Sequence, residues 1–171
     1  MKRKQIWKQT GVLILAAAMV IAAIGWALAG MAEEHLTTMW VMCRPGGYVN
    51  VREKPDKHGE VGGFLESGEY FRTDGETVNG YVRAYGIGEN DQGWIYCGYV
   101  VTEEPVAVFE NYYCSANSRV ACRKWVDGPR ISGSRGWINN GDTVTVFYAA
   151  EGWAVTSRGY IRTEWIEVDP E

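Results

Sequence analysis

The strongest constraint on this chain is that its body is written twice. Cys43…Val49-Asn50-Val51-Arg52 lines up with Cys114…Val120-Ala121-Cys122-Arg123 at an offset of 71 residues. Gly63-Phe64-Leu65…Gly68-Glu69 lines up with Gly136-Trp137-Ile138…Gly141-Asp142 at 73, and Asn79-Gly80-Tyr81 with Glu151-Gly152-Trp153 at 72. Gly93-Trp94-Ile95 then matches Gly159-Tyr160-Ile161 at 66. The offset holds nearly constant and falls once, which a longer loop at 84–92 in the first copy explains, since loops are where duplicated units vary most freely. The expected organisation is therefore two domains, 39–102 and 108–168, joined by the short acidic stretch Thr102-Glu103-Glu104-Pro105-Val106.

Each copy shows little helical periodicity. Short alternating strands stand between Gly, Asn and Asp turns: Tyr48–Arg52, Gly80–Ala84, Thr143–Phe147 and Trp153–Val155. In Thr143-Val144-Thr145-Val146 the valines face inward and the threonines outward, because side chains alternate across a strand. This predicts an all-β fold. At about 60 residues a single core is marginal, so a curved sheet closed into a small barrel is the economical form for each copy, two in tandem. The expected core is Val49, Val51, Val61, Leu65, Phe71, Val82, Ile95 and Val100 in the first copy, and Val120, Cys122, Ile138, Val144, Val146, Val155, Ile161 and Ile166 in the second.

Ahead of the copies, residues 11–32 form an uncharged apolar run of 22 residues, which as a helix would reach about 33 Å and could cross a bilayer. Lys2, Arg3, Lys4 and Lys8 precede it and Glu33-Glu34 follow, which orients the remainder outside the cytoplasm. Ala27-Leu28-Ala29 and Gly30-Met31-Ala32 offer the small residues a signal peptidase needs, whereas the run exceeds the usual signal core. Residues 1–32 are thus a cleavable signal peptide or a retained single-span anchor; a buried core helix would need a polar stripe that this run lacks. Without residues 1–32 the chain keeps 13 basic against 21 acidic side chains, a net charge of −8. That sign argues against a nucleic-acid partner and against simple adsorption to an anionic surface.

The ordered pattern Val49-Asn50-Val51-Arg52, Pro55, Val61, Leu65, Gly68, Asn79-Gly80-Tyr81, Gly93-Trp94-Ile95, Tyr99-Val100 resembles the bacterial SH3-like (SH3b) domain over about 54 residues of the first copy. The second copy keeps the glycine turn, Gly152-Trp153 and Gly159-Tyr160-Ile161, but has Cys122 for the second valine and carries Pro129 further into its loop than Pro55. The resemblance implies two SH3-like β-barrels that bind peptide in the cell envelope, with peptidoglycan-derived peptide as the partner. Aromatic rings at strand ends would form a shallow trough for such a chain. Its candidate residues are Tyr48, Asn50, Tyr81, Trp94, Tyr96 and Tyr99 in the first copy and Trp125, Trp153, Tyr160 and Trp165 in the second. The plainer alternative is that these rings are barrel packing. Other readings of the whole are a membrane-tethered module for an envelope protein partner and an accessory subunit of a separate wall hydrolase. The protein is expected outside the cytoplasm, secreted and wall-associated or anchored at the outer membrane face.

Cys43, Cys97, Cys114 and Cys122 all lie in the expected exported part, where disulfides persist. Pairings Cys43–Cys97 and Cys114–Cys122, one per copy, are favoured; the alternative is four free thiols packed as small hydrophobes. No cofactor or metal is expected, since there is no C-x-x-C pair and only two histidines are present. Neither His35 nor His58 can be placed beside a nucleophile, and no carboxylate pair lies in a recognisable motif, so no catalytic residue is assigned and the chain is expected not to be an enzyme.

Overall fold

In the first copy the two-residue turn Asn79-Gly80 folds with both residues at positive φ, 53° and 78°. That conformation matches the natural twist of a hairpin and explains why Asn-Gly stands there. Glu151-Gly152 repeats it in the second copy at 51° and 73°. Glu151 lacks glycine's freedom, but its carboxylate accepts hydrogen bonds from the Thr102 amide and hydroxyl and, at 3.2 Å, from the Glu103 amide. The second copy's hairpin thereby holds the stretch that joins the two.

The computed structural model describes residues 36–88 and 91–168, and it is all-β. The apolar run at 11–32 and His35 lie outside the described residues; among those described, no helix is long and apolar enough to cross a membrane. The first copy contains β1 (Thr37–Val41), β2 (Tyr48–Arg52), β3 (Val61–Glu66), β4 (Tyr70–Thr73), β5 (Thr77–Val78), β6 (Tyr81–Tyr85), β7 (Gln92–Tyr96) and, after a 3-10 turn at Cys97–Tyr99, β8 (Val100–Val101). The second contains β9 (Val106–Cys114), β10 (Val120–Ala121), β11 (Trp137–Ile138), β12 (Thr143–Ala150), β13 (Trp153–Thr156), β14 (Gly159–Arg162) and, after a turn at Thr163–Trp165, β15 (Ile166–Val168).

Pairing repeats as faithfully as the sequence does. The first sheet runs β3-β2-β7-β6-β4-β1-β8 with β5 beside β6, and the second runs β14-β13-β12-β9-β15, which is the order of β7-β6-β4-β1-β8 in equivalent strands. The remaining pair, β10-β11, stands where β2-β3 stands. Even the weak link is duplicated: β2 meets β7 only at Arg52↔Trp94, and the second copy has the lone bridge Arg123↔Tyr160. The sheets are open, with β3 and β8 as the edges of the first, so the hydrogen-bond ladder does not complete the closed cylinder expected from size.

Three apolar clusters fill the structure. One lies within the first copy around Val41, Val49, Val51, Leu65, Phe71, Val82 and Ile95, and another within the second around Cys114, Val120, Cys122, Ile138, Val144 and Ile161. The third joins the copies: Met42 and Val101 from the first pack with Trp153, Val155 and Tyr160 from the second. Here the buried Tyr160 hydroxyl donates to the Met42 carbonyl at 2.7 Å. Residues from Thr37 onward accordingly form one compact unit.

Three expected core residues are corrected. Val61 is 47% exposed because β2 and β3 slip register between Val51 and Arg52, which turns the start of β3 outward. Val100 and Ile166, at the sheet margins, are only partly buried. The expected disulfides are corrected as well, since all four cysteines are free thiols. Each expected pair shares a core, Cys43 and Cys97 in the first and Cys114 and Cys122 in the second, but as packing groups. The Cys43 thiol donates to the Gly47 carbonyl at 3.4 Å, and burial pushes the Cys122 thiol up to about 11.

Two outcomes are expected. Tyr160→Phe leaves a buried carbonyl unsatisfied and should cost about 1–3 kcal/mol in urea unfolding, with both copies still melting in one transition. Because a raised thiol pKa means less thiolate at any given pH, Cys122 should resist iodoacetamide in native protein at about pH 8. After denaturation without reductant, mass spectrometry should find all four cysteines alkylated.

Candidate functional site

Beyond Arg52↔Trp94, β2 and β7 share no further pair. A hollow of about 470 Å³ is lined by Tyr48, Val49, Asn50 and Arg52 of β2, by Tyr81, Tyr96 and Tyr99, and by Lys57 and Trp125. A second hollow of about 420 Å³ shares Tyr48, Val49, Tyr99 and Trp125 and continues past Arg44, Arg123, Lys124 and Ile131. A third of about 390 Å³ shares Lys57, Tyr81 and Tyr96 and reaches Pro55, Asp56 and Asn79. Shared walls make these three one groove.

Its floor is a chain of rings. Tyr81 opens β6 directly after the Asn79-Gly80 turn, Tyr96 ends β7, and Tyr99 closes the following 3-10 turn. Tyr81 and Tyr96 have centroids 5.3 Å apart, and Tyr96 and Tyr99 6.1 Å, both edge to face. That geometry favours the positive rim of one ring against the negative face of the next. Tyr48, Tyr81, Tyr96 and Tyr99 make no hydrogen bond through their hydroxyls among the described residues, whereas the Tyr85 and Tyr160 hydroxyls donate to Asp74 and to Met42. Burial raises the Tyr99 pKa above the usual phenol value, so it remains a neutral donor.

Trp125 comes from the other copy, in the loop between β10 and β11. Its ring meets Tyr96 at 5.3 Å and 90°, and Tyr99 at 6.3 Å. Two glycines make room for it: a Cβ on Gly98 would lie 2.4 Å from the ring, and one on Gly128 2.5 Å. The Val126 amide, next in the chain, donates to the Gly98 carbonyl at 3.1 Å. Both copies brace this loop alike, the Arg123 guanidinium donating to the Gly128 carbonyl and that of Arg52 to the Gly59 carbonyl, each at 2.7 Å.

The second copy's corresponding surface has a different fate. Trp153 pairs with Arg162 across β13 and β14 as Tyr81 pairs with Tyr96 across β6 and β7. The Arg162 guanidinium covers the Trp153 ring at 4.3 Å and is held by Asp127 at 3.2 Å. Trp153 and Tyr160 are each 3% exposed and belong to the joint between the copies. Trp165 is 41% exposed and lies in a separate hollow of about 390 Å³ with Arg119 and Trp137.

Of the ten candidate residues, Tyr48, Asn50, Tyr81, Tyr96, Tyr99 and Trp125 thus come together in one place. Tyr160 lies at the edge of the second hollow, while Trp94, Trp153 and Trp165 line none of the three. Five cations outside the sequence-based candidates, Arg44, Arg52, Lys57, Arg123 and Lys124, also line the groove. A signal for two of them was present, because Arg52 and Arg123 occupy the same position in the repeat. Among the described residues, no group of three or more His, Cys, Asp or Glu side chains could hold a metal ion.

No protein-family model and no curated protein matches the sequence. Similar solved structures include NlpC1 from Trichomonas vaginalis, at 14% identity and TM-score 0.32 over 78% of this chain and 46% of that one. NlpC2 from the same organism gives 16% and 0.33 over 77% and 48%. The endolysin LysPBC5 CBD gives 12% and 0.30 over 78% and 93%. This chain spans about half the length of the two NlpC proteins. Likeness at this level assigns nothing, so the functional reading rests on the groove.

Gly98→Ala should displace Trp125 from its seat, since the added carbon would overlap the ring. A shift of tryptophan emission to longer wavelength in the folded protein, absent when Trp125 is already Phe, would report it.

Proposed function

We propose that this chain is an exported, non-catalytic binding protein of the bacterial cell envelope whose tandem SH3-like domains hold an extended peptide, with peptidoglycan-derived peptide as the ligand. The observation that carries this reading is the convergence of Tyr48, Tyr81, Tyr96, Tyr99 and Trp125 on one open groove, four of them with unengaged hydroxyls. Flat rings give a peptide backbone contact area at little entropic cost, and the phenols and the Asn50 amide can hydrogen-bond its carbonyls and amides.

Binding rather than cleavage suits the lining. Among the described residues, Cys43 is the one nucleophilic thiol there, it is buried with its pKa raised, and no histidine lines the groove to activate it. On this reading the apolar run at 11–32 delivers the protein across the membrane or retains it there, and 39–102 and 108–168 are the two domains, with the second supporting the first.

Co-sedimentation with purified cell wall tests the proposal. Wild type should pellet; Tyr96→Ala and Trp125→Ala should each weaken binding about tenfold, the size expected for losing a central aromatic contact; and Trp94→Ala should behave as wild type. Failure of the wild type to pellet would overturn the wall assignment.

A further inference from the structure

Charge is distributed unevenly around the groove. Arg44, Arg123 and Lys124 line the hollow at one end, Lys57 lines the hollow at the other, and Arg52 joins Lys57 at the one between. Among the described residues, Asp56 is the only acidic one that lines any of the three hollows. In a protein of net charge −4 this segregation runs against the overall sign. It is also not spent on the fold: Arg44, Lys57 and Lys124 form no ion pair among the described residues, where the paired cations are Arg83 and Arg162. Arg52 and Arg123 each use a guanidinium nitrogen on their loop carbonyl and retain further donors. Gathering like charges costs free energy unless something of opposite sign offsets it.

We infer that the groove selects an acidic peptide, an extended segment whose carboxylates are gripped by cations at the two ends of the aromatic floor. This rests on the peptide-binding reading and adds the ligand's chemical class. The arrangement favours a peptide over an acidic polysaccharide because rings dominate between the ends, Tyr48, Tyr81, Tyr96, Tyr99 and Trp125 against Arg52 and Lys57 in the central hollow. A uniform polyanion would be matched by evenly spaced cations, not by a floor of rings. The cations come from both copies, Arg44, Arg52 and Lys57 from one and Arg123 and Lys124 from the other, so the acidic preference belongs to the pair.

The test titrates the full chain with a hexapeptide blocked at both termini, glutamate at each end and glycine between, and with its glutamine counterpart. At low salt the glutamate peptide should bind at least about tenfold more tightly. About 0.5 M NaCl should abolish most of that advantage. So should Lys57→Gln combined with Lys124→Gln, a variant that should melt at the wild-type temperature because neither side chain has a partner to lose. Equal affinity for the two peptides would overturn the acidic preference and leave peptide binding standing. Binding of neither would overturn the peptide reading with it. Binding of polygalacturonate but of neither peptide would replace the peptide by an acidic polysaccharide.

Discussion

The joint between the copies is the constraint on which the rest depends. Met42 and Val101 meet Trp153, Val155 and Tyr160 in a buried layer, and the Tyr160 hydroxyl closes it against the Met42 carbonyl. A domain of about 60 residues buries too little apolar surface to be secure alone. Here each copy lends the other part of its core. The joint also fixes the distance from the β10–β11 loop to the first copy, without which Trp125 could not enter its groove.

Duplication supplied two similar surfaces, and small changes then gave them different tasks. At the position of Tyr96 the second copy has Arg162, which lies over Trp153 and is tied to Asp127. At the position of Tyr81 it has Trp153 itself, large enough to reach the joint. The second surface is consumed by the fold, and the loop beside it becomes a wall of the first. Gly98 and Gly128 are the local adaptations that permit this, since any side chain there would overlap the Trp125 ring.

The free thiols follow from the same economy. Cys43, Cys114 and Cys122 are buried in the two inner cores, where a small polarisable group packs well, and burial raises the Cys43 and Cys122 thiols above their ordinary value. Cys114 and Cys122 share the second core, but proximity within a core does not set the geometry a disulfide needs.

The duplication and strands such as Tyr48–Arg52 and Thr143–Phe147 were legible in the sequence because each rests on neighbours along the chain. Alternation made Val144 and Val146 core, whereas Gly80, read as the start of a strand, belongs to the turn before β6. Tyr48, Tyr81, Tyr96 and Tyr99 could be gathered because they share one copy's strand ends. What the tertiary structure alone decided was which surfaces face each other: that Trp153 and Tyr160 are buried in a joint, that Trp125 serves the other copy, and that Val61 turns outward. The physical reason is that local periodicity is set by backbone geometry repeated every few residues. Contacts between copies depend on how two finished surfaces fit, and no short stretch of sequence carries that.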